Sequence, residues 1–133
     1  MKITQAAYAD IVNQARRELP DESCGYLLGH GETAELNYPM TNADHSPEHF
    51  SFLPKEQFAA VRHARQQGLQ VLANWHSHPA SPSRPSTEDI RLAYDPHIAY
   101  FILSLAEDEP VLNAFRIRNG KVEKLELEIV HSE

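Results

Sequence analysis

The sequence has little of what marks secreted, membrane-bound or nucleic-acid-binding proteins. Its 133 residues include a single cysteine, Cys24, so no disulfide can form within the chain. That count fits a reducing compartment. No stretch approaches the roughly 18 apolar residues that a membrane span requires, and the N-terminal residues lack the apolar core of a signal peptide. We therefore expect a cytoplasmic protein that does not enter a membrane.

Positive charge is also scarce. The chain carries 12 Lys and Arg residues against 19 Asp and Glu residues, for a net charge of −7, and its basic residues are dispersed. Binding to nucleic acid needs a clustered basic face that neutralises phosphates. The composition therefore argues against a nucleic-acid partner and favours a basic partner or a partner with a basic tail.

Apolar periodicity predicts three helices in what we expect to be one domain, residues 1–133. The first helix is capped by Thr4 and has its apolar stripe at Tyr8, Ile11, Val12, Ala15 and Leu19. The second starts at Pro54 and is expected to bury Phe58, Val61 and Ala64. The third starts at Ser86, turns Ile90, Ala93 and Tyr94 inward, and stops at residues 95–96.

Apolar runs predict the strands, which lie at residues 24–29, 34–40, 69–75, 98–105, 111–118 and 125–130. The run 98–105 is apolar almost throughout, which is typical of a strand covered on both faces at the centre of a sheet. Asn119-Gly120 predicts a hairpin, and the phase change after Val122 predicts a bulge near Glu123 or Lys124. This order indicates an α/β fold with a mixed sheet and helices packed on it.

Candidate chemistry is concentrated in residues 74–89. His76 and His78 follow an apolar strand, where residues two apart share one face. Ser86-x-x-Asp89 opens a helix that brings Asp89 back toward them. Two imidazoles and one carboxylate make the protein ligand set of a catalytic zinc centre, which leaves the fourth position to water.

Each part of this pattern also has a plainer interpretation. A lone His-x-His can be the polar end of a strand, and Ser86-x-x-Asp89 can be a helix N-cap with an acidic first turn. His45 and His49, on the predicted loop 41–53, could be ligands or substrate contacts, although loop histidines are more often only solvated. Cys24 is better explained as a small buried residue than as a ligand or nucleophile.

Taken together, the spacing resembles the metal signature of the JAMM metallopeptidases, also called MPN-plus domains. The signature here is His76-x-His78, seven residues, Ser86, two residues, Asp89, and the stretch Glu22–Gly29 is similar too. The likeness covers nearly the whole chain and identifies a compact prokaryotic member. It implies a three-layer α/β/α fold with a mixed sheet, related to cytidine deaminases, and hydrolysis of peptide or isopeptide bonds at the C-termini of ubiquitin-like proteins.

The resemblance also assigns roles to individual residues. It implies that His76, His78 and Asp89 bind one zinc ion, that Glu22 is the general acid and base, and that Ser86 helps to hold the oxyanion. Zinc bound in this way makes hydroxide available near neutral pH. Nothing local marks Glu22, which without the family would be an ordinary turn glutamate. One departure, at residues 73–75, does not touch the ligands.

Three functions compete at this stage. The first is a zinc hydrolase that cleaves after the C-terminal Gly-Gly of a small ubiquitin-like or sulfur-carrier protein, whose tail binds as an added strand at a sheet edge beside the end of the His76 strand. The second is a non-catalytic scaffold of the MPN-minus type, although such scaffolds typically lose the ligands that this chain retains. The third is a hydrolase of small peptides or amides, which the sequence leaves open.

Overall fold

The computed structural model describes residues 1–131, so the last two residues of the predicted domain lie outside the described part. The elements, in chain order, are β1 (Lys2–Thr4), α1 (Gln5–Arg17), β2 (Cys24–His30), β3 (Thr33–Met40), α2 (Pro54–Gln66), β4 (Gln70–His78), α3 (Thr87–Arg91), β5 (Ala99–Ser104), β6 (Val111–Arg118), β7 (Lys121–Leu125) and β8 (Glu128–Val130). The short strand β1 was not predicted from the sequence.

All eight strands form one mixed sheet with helices on both faces. The strand order is β7-β6-β5-β4-β2-β3-β1-β8. On one face α1 packs against Trp75 of β4 and Phe101 of β5. On the other face Ala60 of α2 packs near Cys24 of β2, and Ile90 of α3 packs against β5. The predicted three-layer α/β/α fold is therefore confirmed.

The sheet curls around α1. β7 and β8 lie at opposite edges of the sheet, yet only residues 126 and 127 separate them in the chain. Seven strand spacings of about 4.8 Å would put the edges of a flat sheet more than 30 Å apart, whereas three extended residues reach about 10 Å. The edges must therefore approach each other, and Leu125 and Leu127 pack on the cluster that contains α1.

A buried polar network ties α1 to the strands beneath it. The Trp75 indole donates to Asn37 Oδ1 at 2.8 Å, Asn37 Nδ2 donates to Gln14 Oε1 at 2.9 Å, and Gln14 Nε2 donates to the Cys24 carbonyl at 3.0 Å. Gly25 leaves room for this network, because a Cβ there would lie 2.6 Å from the Trp75 indole nitrogen. Hydrogen bonds as well as apolar packing therefore fix the position of α1 on the sheet.

All three predicted helices are present, but some of their ends and buried residues differ from the prediction. Thr4 caps α1 as predicted, accepting from the Ala7 amide at 3.2 Å, but α1 ends at Arg17, so Leu19 lies beyond it and is 45% exposed. In α2 the predicted Ala64 is buried, whereas Phe58 is 71% exposed.

Val61 of α2 is also exposed, at 38%, and the buried positions of this helix are Ala60 and Ala64. The prediction failed because aromatic side chains already occupy the surface under α2: Tyr26, Tyr38, Phe50 and Phe52. Only small residues on the helix fit against them, so its larger apolar residues turn outward.

The structure differs from two further predictions, both in the C-terminal half of the chain. The third helix, α3, has only five residues and ends at Arg91, so Tyr94 points outward with 81% exposure, while Ile90 and Ala93 are partly buried as expected. The bulge near Glu123 or Lys124 is absent, because β7 pairs with β6 in continuous register throughout. Val122 and Leu125, three residues apart in β7, lie on opposite faces of the strand, and Val122 is 42% exposed.

The predicted strand at residues 98–105 corresponds to β5, which is buried along its whole length and lies inside the sheet between β4 and β6. The Asn119-Gly120 turn joins β6 and β7 with positive φ angles of 52° and 76°, as predicted for this hairpin. Within residues 1–131 no helix is long and apolar enough to cross a membrane.

Candidate metal centre

Three side chains from two elements converge at the end of β4. Strand alternation places His76 and His78 on the same face of β4, and the first turn of α3 brings Asp89 over them. His76 Nε2 lies 3.1 Å from His78 Nε2, and Asp89 Oδ2 lies 3.2 Å from the first and 3.1 Å from the second. Among residues 1–131 this is the one group of His, Cys, Asp and Glu side chains close enough to hold a metal ion.

The donor set fits a tetrahedral metal ion. Bonds of about 2.0–2.1 Å from zinc to nitrogen and oxygen place tetrahedral ligands about 3.3 Å apart, close to the 3.1–3.2 Å found here. Two imidazole nitrogens and one carboxylate oxygen all aim at one point, where a cation would satisfy all three. The residues present therefore fit a zinc ion with three protein ligands.

His78 is oriented by a backbone carbonyl. Its Nδ1 lies 2.8 Å from the Pro82 carbonyl oxygen, which can only accept, so Nδ1 carries the proton and Nε2 is left with its lone pair toward the cluster. The segment that presents this carbonyl is fixed by Ser83 Oγ, which donates to the Ile102 carbonyl at 2.6 Å, and by Ser104 Oγ, which donates to Ser81. The sequence held no signal for this contact.

His76 is held differently. Its Nδ1 is buried and has no hydrogen-bond partner within residues 1–131. Instead, the ring of Phe50 stacks on its imidazole, with centroids 4.5 Å apart and planes 22° from parallel. Phe50 also contacts Phe52 edge to face, and Phe52 contacts Tyr26. Sequence reasoning missed Phe50 because an aromatic residue on a long loop carries no local sign of what it covers.

Asp89 is fixed by a reciprocal cap with Ser86. Ser86 Oγ accepts from the Asp89 amide at 3.0 Å, and Asp89 Oδ2 accepts from the Ser86 amide at 2.9 Å. The plainer interpretation of this pair as a helix cap is thus correct, and the same carboxylate oxygen also faces both histidines. Burial would raise the pKa of Asp89, but hydrogen bonds with His76 and His78 outweigh it and hold that pKa well below its usual range.

The two histidines differ in basicity. Complete burial lowers the pKa of His76, which keeps its imidazole neutral. Burial also acts to lower the pKa of His78, but its hydrogen bonds to Asp89 and the Pro82 carbonyl outweigh that effect and raise it. A metal ligand must offer a neutral imidazole, so metal binding at this site releases any proton shared between the two rings.

Glu22 is brought to the same place by strand pairing. It precedes β2, whose Cys24 pairs with His76, and the Ser77 amide donates to the Ser23 carbonyl at 2.9 Å. The side chain is only 5% exposed, and burial raises the pKa of Glu22 to about 8, although the nearby His78 acts in the opposite direction. A buried acid with a raised pKa beside a metal ligand set has the properties of a general acid and base.

The remaining candidates lie elsewhere or have structural roles. His49 Nδ1 contacts Glu88 at 2.7 Å, and His45 is exposed on the loop, so neither belongs to the donor group. Cys24 is buried, and burial raises the pKa of its thiol, which makes it a poor nucleophile. Trp75 is a core residue on the face of the sheet that packs against α1.

The predicted sheet edge beside the histidine strand is not there. β4 is paired with β2 on one side and β5 on the other, up to Ser77 and His78. The free edges belong to β7 and β8, far from β4 in the strand order. The prediction that a substrate tail adds a strand next to β4 is therefore wrong, because β4 has no free edge among the described residues.

The curled mixed sheet thus brings two buried histidines at a strand end, a partly buried aspartate from a capped helix and a buried acid to one place that could hold a metal ion. Residues 4–118 match the family described as prokaryotic homologues of the JAB domain. The chain belongs to this family.

Relatives with known names or structures agree with this assignment. The chain is 33% identical over 129 residues to the CysO-cysteine peptidase of Mycobacterium tuberculosis. The aligned region covers 92% of this chain and 88% of the relative. The solution structure of DSY2949 from Desulfitobacterium hafniense is 43% identical, with a TM-score of 0.92 over 98% of this chain and 93% of that protein.

A second solved structure is described as a metalloprotease-like JAMM zinc site in the proteasome and signalosome. It is 26% identical to this chain, with a TM-score of 0.63 over 98% of both chains. The expected membership of the JAMM family is therefore confirmed.

The stacking of Phe50 on His76 generates a prediction about metal affinity. His76 Nδ1 has no hydrogen bond within the described residues, so the stacked ring of Phe50 takes the place of the hydrogen bond that usually orients a metal-binding imidazole. We expect Phe50→Ala to weaken zinc binding about tenfold, the lower end of the effect of losing a contact that orients a ligand. Competition titration against a chromophoric chelator measures this.

Phe58→Ala is the matched control, because Phe58 is the same residue type on α2 and is 71% exposed. We expect it to keep the affinity of the unmodified protein. Equal zinc affinity in Phe50→Ala and Phe58→Ala, with both proteins folded, would show that the stacked ring does not orient His76.

Proposed function

We propose that this protein is a zinc metallopeptidase that cleaves after the C-terminal Gly-Gly of a small ubiquitin-like or sulfur-carrier protein. One zinc ion is held by His76, His78 and Asp89. The observation that carries the proposal is the convergence of three donor atoms within 3.2 Å of one another, with the buried acid Glu22 beside them.

The reaction follows from what each residue can do. Zinc, when bound, acidifies a water molecule and polarises a carbonyl group. Glu22 takes the proton from the attacking water and returns it to the departing nitrogen, so that a neutral amine leaves instead of an amide anion. Burial, which raises the pKa of Glu22 to about 8, favours this residue as a proton donor in the second half of the reaction.

Ser86 is proposed to stabilise the oxyanion. Its hydroxyl oxygen accepts from the Asp89 amide, which leaves the hydroxyl hydrogen available to donate. Ser86 is exposed and lies one helical turn from Asp89, so its hydrogen can reach an oxygen of a bound carbonyl. Such donors stabilise developing negative charge in the transition state.

The substrate proposal rests on the shape of the site and on a relative. His76 and His78 are buried at the end of β4, and Asp89 on α3 is partly buried. A tail that ends in glycines can reach such a site because glycine has no side chain to clash. The M. tuberculosis relative is named a CysO-cysteine peptidase. We propose the same class of reaction here, with residues 1–133 acting as one domain in the cytoplasm.

The first prediction concerns metal content. We expect about one zinc per chain in protein prepared without chelator, and loss of that zinc in His76→Ala and in Asp89→Ala, because each removes one of only three protein ligands. Elemental analysis by mass spectrometry measures this. His49→Ala is the control, since His49 lies outside the donor group, and unchanged zinc in all three variants would refute the ligand assignment.

The second prediction separates Glu22 from the metal. Glu22→Gln keeps the size of the side chain and removes its ability to accept and return a proton. We expect unchanged zinc content and thermal stability, with turnover reduced by a factor on the order of 10² or more. If the variant cleaves substrate at the rate of the unmodified enzyme, the proton is transferred by another group, of which Asp21 is the first candidate.

The third prediction concerns the substrate. A carrier protein extended by one amino acid after Gly-Gly is incubated with the zinc-loaded enzyme, beside a version in which Gly-Gly is replaced by Ala-Val. We expect release of the added residue from the first protein alone, as read by intact-mass spectrometry, because added side chains block the approach to the buried site. Equal cleavage of both, or cleavage of short free peptides only, would indicate a general peptidase.

A further inference from the structure

The loop of residues 41–53 forms one wall of the candidate site. Its residues Phe50 and Phe52 line a cavity of about 460 Å³ that opens beside the donor group, and His76 and Asp89 line the same cavity. The loop therefore shapes the space in which a substrate would meet the proposed ligands. How the loop is fixed bears directly on the geometry of the site.

Glu22 is fastened to this loop through both of its backbone groups. Its amide donates to the Ser46 carbonyl at 2.8 Å, and its carbonyl accepts from Asn42 Nδ2 at 3.0 Å. The next residue, Ser23, is bound to β4 instead, through two hydrogen bonds with Ser77. Strand pairing thus brings the chain to the site, whereas the loop holds the backbone that carries the proposed acid.

Asn42 supplies the side chain of this connection. It is only 8% exposed, and its Nδ2 donates to the His49 carbonyl at 2.9 Å as well as to Glu22, with the Ser46 carbonyl at 3.4 Å. Its Oδ1 accepts from the Asp44 amide at 2.9 Å. An amide has two N–H donors on one nitrogen and can bind two carbonyl groups at once, which a carboxylate or a single hydroxyl cannot do. The residue type at position 42 therefore matches a bridge between two backbone carbonyls.

This bridge reaches the helix that carries a proposed metal ligand. Asn42 holds the His49 carbonyl, and His49 Nδ1 lies 2.7 Å from Glu88 Oε1 on α3. Glu88 directly precedes Asp89 in the chain. Asn42 thus belongs to a series of contacts that runs from Glu22 to α3 and relates the position of the proposed acid to that of the ligand.

The loop has other anchors besides Asn42. The amide and the hydroxyl of Thr41 donate to the carboxylate of Glu56 on α2, at 2.7 and 2.8 Å. The Ser51 hydroxyl donates to Asp44 Oδ1 at 2.8 Å, which closes the loop on itself. Removal of the Asn42 amide is therefore expected to release the proposed acid without unfolding the loop.

We propose that Asn42 is a positioning residue that holds the Glu22 carboxyl group in place beside the metal ligands. It acts on the reaction through Glu22, because its own amide is engaged by backbone carbonyls. This inference rests on the proposed function, which makes Glu22 the general acid and base. The ligands keep separate restraints, namely the helix cap on Asp89 and the Pro82 carbonyl at His78, so zinc is expected to stay bound when the bridge is lost.

The test is a double-mutant cycle of Asn42→Ala and Glu22→Gln, assayed at saturating zinc on a carrier extended by one amino acid after Gly-Gly. We expect Asn42→Ala to lower kcat about 10- to 100-fold and to change KM by less than about twofold, since a misplaced acid affects turnover more than substrate binding. In the Glu22→Gln background the same substitution is expected to change kcat by less than about twofold, because the group that it positions is already gone. Damage to the fold or to the ligands would instead multiply the two losses.

Two further variants check that the loss is specific. Asp44→Ala removes the hydrogen bond with Ser51 in the same loop but leaves the Asn42 bridge, so we expect it to keep at least about half of the unmodified kcat. Asn42→Ser is too short to bind both carbonyls and serves if the alanine variant does not fold. Elemental analysis is expected to find about one zinc per chain in every variant.

Amide hydrogen exchange, measured by NMR without substrate, tests the positioning apart from activity. The Glu22 amide, which donates to Ser46, is expected to exchange at least about tenfold faster in Asn42→Ala, because local opening then breaks fewer hydrogen bonds. The Ser77 amide, which belongs to the contact between the start of β2 and β4, is expected to keep its rate. In Asp44→Ala both amides are expected to exchange as in the unmodified protein.

The outcomes distinguish the two proposals. Full kcat in Asn42→Ala, losses that multiply in the double variant, loss of zinc, or unchanged exchange of the Glu22 amide each overturns the positioning role and leaves the proposed function standing. Faster exchange at Glu22 in a protein that cleaves no carrier, even unmodified, supports the contact and overturns the proposed function. Unchanged exchange in such a protein overturns both.

Discussion

The site depends on the reciprocal cap between Ser86 and Asp89. α3 has five residues, far too few to be stable by its own hydrogen bonds, and yet it must hold a carboxylate oxygen within about 3.2 Å of two imidazoles. The cap does this by using Asp89 Oδ2 as acceptor for the Ser86 amide and as a partner of both histidines at once. The same aspartate therefore both caps the helix and is the proposed metal ligand. A substitution that breaks the cap would also displace this ligand. The contact between His49 and Glu88 joins the same short helix to the loop that carries Phe50.

Electrostatics couple the metal to the proposed acid and base. Burial raises the pKa of Glu22 to about 8, which in the protein alone keeps its carboxyl group largely protonated at neutral pH. A divalent cation at the neighbouring donor group favours the charged carboxylate and lowers that pKa. A bound cation would thus favour the form of Glu22 that accepts a proton, in line with the role proposed for this residue. The same cation requires neutral imidazoles, so binding should release protons from both parts of the site.

The sequence predicted those parts of the site that depend on local geometry. The period of two along β4 placed His76 and His78 on one face, and the Ser86-x-x-Asp89 pattern identified the cap. Glu22 could be assigned only through the family likeness, because it reaches the site through the pairing of β2 with β4, which links residues some fifty positions apart. The Pro82 carbonyl that orients His78 is backbone and has no residue signature. The outward turn of Phe58 and the transfer of the chain from β7 to β8 both follow from the packed sheet as a whole, which periodicity within one element does not describe.

The buried polar atoms that lack a hydrogen-bond partner belong to residues in or next to the candidate site. Within residues 1–131, the buried side-chain oxygens and nitrogens without a partner are Ser23 Oγ, Asn74 Oδ1 and His76 Nδ1. Ser23 follows Glu22, Asn74 lines the cavity beside the proposed ligands, and His76 is one of them. Buried polar atoms of this kind oppose folding, and the curled core around α1, where Asn37 and Gln14 are fully bonded, shows that the same chain satisfies such groups elsewhere. Local conflicts with folding concentrate where a protein binds or transforms something else, and two of the three residues, Asn74 and His76, line the cavity beside the donor group.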